Sequence, residues 1–199
     1  MTKPMFFAGV LALALAAVPA SAETAVPDMA MGSADAKVTV VEYASYTCPH
    51  CAHFHHDVMP QLKANYIDTG KIRFVYREVY FDKYGLWAAM VARCGGSDMR
   101  YFPVQDMIYD TQAEWMKSGT DAGIADALRK IGLKSGLEKD KLDACMNDNK
   151  MAQDLVAAYQ ANATADGIDS TPSFVINGEK HSNMSYEDFV KILDAKLAE

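Results

Sequence analysis

Val38-Thr39-Val40-Val41-Glu42-Tyr43-Ala44-Ser45-Tyr46-Thr47-Cys48-Pro49-His50-Cys51 runs from a β-branched stretch into two cysteines separated by two residues. Val38 to Tyr43 predicts a buried strand. From Pro49 to about Tyr66, the residues Phe54, Val58, Leu62 and Tyr66 recur at helical spacing, which predicts a helix. Cys48 therefore falls where strand gives way to helix. At that point unpaired backbone N–H groups and the positive end of the helix dipole favour a negative sulfur, and Pro49 suits a first helical turn. His50, between the cysteines, is expected to add a donor or a positive charge near the same sulfur. The alternative for His50 is an exposed loop residue. Cys51, one turn in, is expected to be the more buried thiol.

A Cys-x-x-Cys pair has two readings, a redox couple and half of a zinc site. A structural zinc site normally takes four ligands at recognisable spacings, and no second such pair exists here. Cys94 and Cys145 stand singly and far apart, so the redox reading is the stronger. Cys48 would then exchange with a substrate sulfur while Cys51 resolves the mixed disulfide. The direction follows from the thiolate. Each unit by which the Cys48 pKa is lowered is ~1.4 kcal/mol, or about 30 mV in a two-electron couple, in favour of the reduced form. A stabilised reduced form makes an oxidant.

Lys3, the apolar run Phe6 to Val18 and then Ala20-Ser21-Ala22 follow the charged, apolar and small-residue order of a secretory signal peptide. Residues 1–22 are expected to be a cleaved leader. The run is shorter than the ~20 residues that span a bilayer, which weighs against an uncleaved anchor. Loss of Lys3 with the leader takes the formal charge from −7 to −8, an acidity that argues against nucleic acid as a partner. In an oxidising compartment Cys94 and Cys145 are expected to pair as a structural disulfide. The alternative is two buried thiols behaving as small hydrophobes, which geometry decides.

Residues 23–36 read as a short polar lead-in tail. Lys71 to Val79 predicts a second strand, completing a βαβ unit. From about Lys83 to Asp166 the pattern is helical: Leu86 to Cys94, Arg100 to Tyr109, Thr120 to Ile131 with Thr120 or Asp121 as N-cap, Lys139 to Met146, and Met151 to Ala165. Ser173 to Ile176 returns to strand, Asn177-Gly178 is a type I′ hairpin signal, and Tyr186 to Leu197 predicts a terminal amphipathic helix. The expected architecture is one α/β domain, residues 37–82 and 167–199, interrupted by a helical insertion over 83–166.

Glu42 to Cys51, the helical insertion, and Thr171-Pro172 ahead of a hairpin together resemble the DsbA thiol:disulfide oxidoreductases of the thioredoxin superfamily. The resemblance implies a thioredoxin fold and runs over essentially the whole chain after the leader. It implies that Pro172 is cis and faces the cysteines, with the Thr171 backbone pairing with an extended substrate peptide. The alternative is an ordinary trans proline opening a strand. It also implies that Glu42 lies beneath the cysteines and assists proton transfer to and from the buried one; exposure at a sheet edge is the alternative. The best-known members carry Val where Thr171 stands, and Thr171 is more like the isomerase branch. A Cys94–Cys145 pair resembles a subgroup with a second, noncatalytic disulfide. About fifteen residues precede the first strand, too few for the dimerisation domain of the isomerases, so a monomer is expected.

His53, His55 and His56 raise a rival from another class, a copper or zinc module, since Cys51 and His55 have the i, i+4 spacing of ligands on one helical face. Against it, histidines on a solvated helix read as polar surface, and Met59, Met90, Met107, Met146 and Met151 read as packing. No metal is expected. The reading that results is an exported, periplasmic dithiol oxidase whose only redox centre is the Cys48–Cys51 disulfide, with no further cofactor. Its substrates would be folding exported proteins, and the resemblance implies a DsbB-type membrane quinone reductase as the partner that reoxidises it. A reductase or isomerase of the same fold is the alternative direction.

Overall fold

Alternation along the central strand sets the whole architecture. The computed structural model describes residues 26–199, so the leader expected over 1–22 lies outside the described residues. Five strands, β1 (Met29–Met31), β2 (Val38–Ala44), β3 (Ile72–Glu78), β4 (Ser173–Ile176) and β5 (Glu179–Ser182), form one sheet in the order β1-β3-β2-β4-β5. β2 runs parallel to β3, from Val38 opposite Ile72 to Ala44 opposite Glu78, and antiparallel to β4. Successive side chains of a strand point to opposite faces. Val38, Val40 and Ala44 join the main core, while Val41 and Tyr43 pack with Val79 and Val175 on the other side. Glu42 shares the parity of the first set and is fully buried.

The crossover from β2 to β3 carries α1 (Pro49–Asp57), α2 (Met59–Leu62) and a π turn at Lys63–Ile67. The single helix expected over Pro49 to Tyr66 is therefore corrected to a broken one. Pro60 explains the break: it has no N–H to donate and its ring crowds the carbonyl four residues back, so the first helix stops at Asp57. The lead-in tail is corrected too. Met29–Met31 pairs antiparallel with β3, Met29 opposite Tyr76, and Met29 is buried. Three residues are too few to show a period of two, which is why the strand was not legible.

After β3 come α3 (Lys83–Arg93), α4 (Asp98–Asp110), α5 (Gln112–Met116), α6 (Asp121–Lys134), α7 (Lys139–Met146) and α8 (Asn149–Ala165); α9 (Tyr186–Ala198) closes the chain. Side-chain oxygens accept from the free N–H groups at several helix starts: Asp82 from Tyr84 and Gly85, Thr120 from Gly123, Asp148 from Met151, and Ser185 from Asp188. α5 escaped the periodicity reading because its five residues include one wholly buried apolar side chain, Trp115. Asn177 and Gly178 both have positive φ, 47° and 86°, as a type I′ turn requires.

The helices meet the sheet through a buried polar belt. Tyr46 donates to Tyr101 at 2.8 Å, Tyr101 donates to Glu78 at 2.8 Å, and Tyr76 and Tyr109 share a hydrogen bond of 2.7 Å. Glu78 holds Arg93 of α3 through two bonds of 2.7 Å. Within the helical block α6 and α7 approach closely at Gly132, where a Cβ would lie 2.7 Å from Leu142. Nearby, Cys94 and Cys145 form a disulfide, with Cα atoms 5.9 Å apart, that ties the end of α3 to α7. The expected pairing is thus realised.

That bond closes a sequence separation of 51 residues, worth about 4 kcal/mol in the chain-entropy treatment and less where the denatured chain keeps structure. Cys94→Ala/Cys145→Ala should therefore fold with a loss of about 2–4 kcal/mol, read as a lower urea midpoint. A midpoint unchanged from the parent would remove the stabilising role.

Candidate active site

Cys48 is the N-cap of α1, with extended backbone, and Pro49 occupies the first helical position. The capping position carries no side-chain oxygen, so the sulfur stands at the mouth of the helix, half-buried, beside the free N–H groups. Cys51 is completely buried one turn later. Both are thiols in this structure. The hydrogen bond from Cys51 is the largest influence pulling the Cys48 pKa down to about 5; partial burial opposes it. The Thr171 side chain and the backbone N–H groups of Cys51 and His50 add to the lowering. Cys51 goes the other way. Burial pushes its thiol well above the ordinary range, helped by its bond to Cys48 and by the Glu42 carboxyl beneath it.

The peptide bond Thr171-Pro172 is cis, and the Cys48 thiol donates to the Thr171 carbonyl at 3.5 Å. The loop before Cys48 is held from two sides. Thr47 donates to Asp82 at 2.7 Å, and Asp82 also caps α3. Gln112 of α5 donates to the carbonyls of Tyr46 and Cys48, at 2.8 and 3.0 Å. Neither Asp82 nor Gln112 was singled out from the sequence; polar residues of these types have no distinguishing pattern until the fold brings them to the loop.

The imidazole of His50 is exposed, with its ring edge towards His53. Its backbone N–H, not its ring, is what His50 is seen to contribute to Cys48. His55 requires a correction: it is no surface residue. Its side chain is 4% exposed and its Nε2 lies 3.0 Å from Oε2 of Glu42, itself fully buried. The ring stacks on Tyr109 at 4.2 Å and meets the edges of Phe54 and Tyr76. His53 and His56 do stay exposed, His56 beside Asp110 at 3.5 Å. The three histidines thus point to different surroundings. Among the described residues no group of three or more His, Cys, Asp or Glu side chains is placed to hold a metal ion. His55 was findable: it lies four residues after Cys51 on the buried face of α1, opposite an inward carboxylate.

Comparison with known proteins adds to this picture. The family profile described as Thioredoxin matches residues 24–195. A protein of Rickettsia bellii (strain RML369-C) named "Putative protein-disulfide oxidoreductase" is 36% identical over 172 residues, covering 86% of this chain. This chain spans 65% of the length of that relative. "Disulfide bond formation protein D" of Bacillus subtilis (strain 168) is 27% identical over 168 residues, with 81% of this chain and 72% of that protein covered. The crystal structure of Wolbachia pipientis alpha-DsbA1 superposes with a TM-score of 0.78 at 30% identity, covering 86% of this chain and 91% of that one.

The Cys51 thiol is the leading donor to Cys48, so Cys51→Ala should raise the Cys48 pKa from about 5 by about one unit or more. The thiolate absorbance near 240 nm reports it; an unmoved midpoint would refute the assignment of cause. The sign for stability follows. A depressed folded pKa stabilises the reduced protein fully above the unfolded value near 9, and this contribution is lost as pH falls through about 5. Between those limits the urea midpoint of the reduced form should rise with pH relative to the oxidised form.

Proposed function

The chain belongs to the thioredoxin family, in its DsbA-like branch, and on that premise we propose that it is an exported thiol:disulfide oxidoreductase donating the Cys48–Cys51 disulfide to folding proteins. The observation that carries this reading is the opposite character of two sulfurs one helical turn apart: Cys48 accessible and lowered to about 5, Cys51 buried and raised. A substrate thiolate attacks Cys48, the S–S bond breaks, and Cys51 leaves with the electron pair and takes a proton. A second substrate thiolate then attacks the substrate sulfur of the mixed disulfide. Cys48 departs as a thiolate, and its low pKa makes it a good leaving group. The substrate has lost two electrons, and the protein holds Cys48 as thiolate and Cys51 as thiol.

Thr171 and Pro172 border Cys48 and would seat an extended substrate segment along the Thr171 backbone. Glu42, buried on the face of β2 beneath α1, would exchange the proton of Cys51. Export is supported by the leader-like residues 1–22 and by the Cys94–Cys145 bond, since such disulfides persist in oxidising compartments such as the periplasm. Among the described residues no helix is long and apolar enough to cross a membrane. Reoxidation would then fall to a DsbB-type quinone reductase in the membrane.

Equilibration with glutathione, followed by alkylation of free thiols, tests the direction. A potential well above the glutathione couple is expected. The potential should fall by about 60 mV per pH unit in acid and by about 30 mV per unit once Cys48 ionises, with the break near pH 5. A potential near that of thioredoxin would make the protein a reductase. Turnover of a dithiol peptide should vanish in both Cys48→Ala and Cys51→Ala, while only Cys51→Ala, first charged at Cys48 as a mixed disulfide with oxidised glutathione, should release glutathione to a single-thiol peptide and hold that peptide as a stable mixed disulfide. Capture by Cys48→Ala would reverse the roles of the two sulfurs.

A further inference from the structure

Glu42 and His55 form a buried pair, and His55 also lines a cleft that takes in none of Cys48, Thr171 and Pro172. The cleft, of about 580 Å³, is lined by His55, Met59, Lys63, Phe102, Gln105 and Asp106 among others, and reaches the surface beside β1. Oε2 of Glu42 is committed to Nε2 of His55, whereas Oε1 of Glu42 and Nδ1 of His55 have no protein partner. A buried polar atom without a partner is costly unless water supplies one. The Gln105 amide, fully buried at the same cleft, approaches Tyr46 without reaching hydrogen-bonding geometry. Apolar walls with unsatisfied polar atoms at the base make a place for ordered water.

We infer that His55 is a proton relay, carrying the proton of Cys51 between Glu42 and water in this cleft, behind the face that meets substrate. When Cys51 leaves as a thiolate, it takes a proton from Oε1 of a neutral Glu42, Oε2 takes one from Nε2 of His55, and a cleft water delivers one to Nδ1, so that Glu42 stays neutral while His55 changes tautomer. When the cysteines are reoxidised every transfer reverses, and Nδ1 returns a proton to the cleft. The two half-reactions restore the starting tautomer. The ring never has to turn over, which suits a side chain sandwiched between Tyr109, Phe54 and Tyr76. A substrate lying over Cys48 shuts the front of the site from solvent, so a rear path lets the proton move while the mixed disulfide persists.

The groups that face His55 come from every element packed against it: Glu42 of β2, Tyr76 of β3, Tyr109 and Asp106 of α4, and Lys63 of the π turn. Asp106, solvent-exposed on the cleft wall, is held above the usual carboxylate range by local desolvation, with His55 acting to lower it. His55 acts on Cys51 through Glu42 and is a positioning residue in that sense. The relay rests on the Cys48–Cys51 couple being redox-active and does not depend on which direction it runs.

Single-turnover reduction of the oxidised protein by a fluorogenic dithiol peptide, from pH 5 to 9, tests the relay. His55→Gln retains a neutral donor to Glu42 but cannot carry a proton. It should slow reduction and reoxidation alike by about ten-fold or more, with the equilibrium constant against glutathione unchanged within about two-fold, since a relay speeds both directions equally. His55→Ala should be slowed similarly and accelerated by added imidazole, which the cleft can admit. Equal rates for His55→Gln and wild type across the range would overturn the relay. So would a slowed, folded His55→Ala that imidazole does not restore, or a His55→Gln whose equilibrium constant shifts along with its rate, both marking a structural role. If His55→Ala does not fold, His55→Gln decides alone. Wild-type protein that fails to exchange with glutathione would defeat the proposed function, and the relay with it; exchange with an unaffected His55→Gln defeats only the relay.

Discussion

A carboxylate buried beneath two thiols is the constraint on which the site and its supports depend. Glu42 sits on the inward face of the central strand with no exposed surface, and a buried carboxyl group is tolerated only with a partner close by. His55 is that partner, so α1 must present the face bearing Cys51 and His55 to the sheet. The ring of His55 must in turn be covered, and Tyr109 does so by stacking on it. Tyr109 bonds Tyr76 of β3. Placement of one carboxylate thus fixes the rotation of the active-site helix and draws α4 down onto the sheet.

The same strand-to-helix junction separates the two sulfurs energetically. A thiolate is stabilised where donors converge and destabilised where apolar side chains surround it. Cys48, as N-cap, meets the donors; Cys51, three residues on, meets Glu42 and the core. The hydrogen bond between them then acts on both in opposite senses, lowering one and raising the other. No change of fold is needed to poise such a couple, only the geometry of a first helical turn over a buried acid.

Strand β2, the helix start at Pro49 and the hairpin at Asn177-Gly178 were legible because each rests on local chemistry: β-branched alternation, an N-terminal proline and a positive-φ dipeptide. The pairing of Cys94 with Cys145 was legible from an even cysteine count in a chain whose sequence led to the expectation of export. What stayed hidden has a common cause. Met29–Met31 and α5 are too short to show a period, and the break at Asp57 came from Pro60 overriding an intact apolar spacing. His55 was misread because a polar residue on a predicted helix is assigned to solvent by default, and that default fails where the opposing strand offers a buried carboxylate. Glu42, odd in an apolar strand, was noticed; its partner required knowing that β2 lies directly under α1.

The helices between β3 and β4 are a wall of the site as well as a covering for the sheet. The Asp82 carboxylate bonds two helix N–H groups and the Thr47 hydroxyl at once, so the start of α3 and the approach to Cys48 cannot move independently. Gln112 performs the same coupling from α5 on the carbonyls of Tyr46 and Cys48. Behind them, the chain of bonds from Tyr46 through Tyr101 and Glu78 to Arg93 satisfies each buried group in turn. Apolar packing alone would allow these helices to slide over the sheet with little penalty, whereas each step of sliding would orphan a buried hydroxyl or charge at a cost of about 1–3 kcal/mol. The polar belt therefore sets the docking that the hydrophobic effect only drives, and with it the position of the Cys48 loop against Thr171.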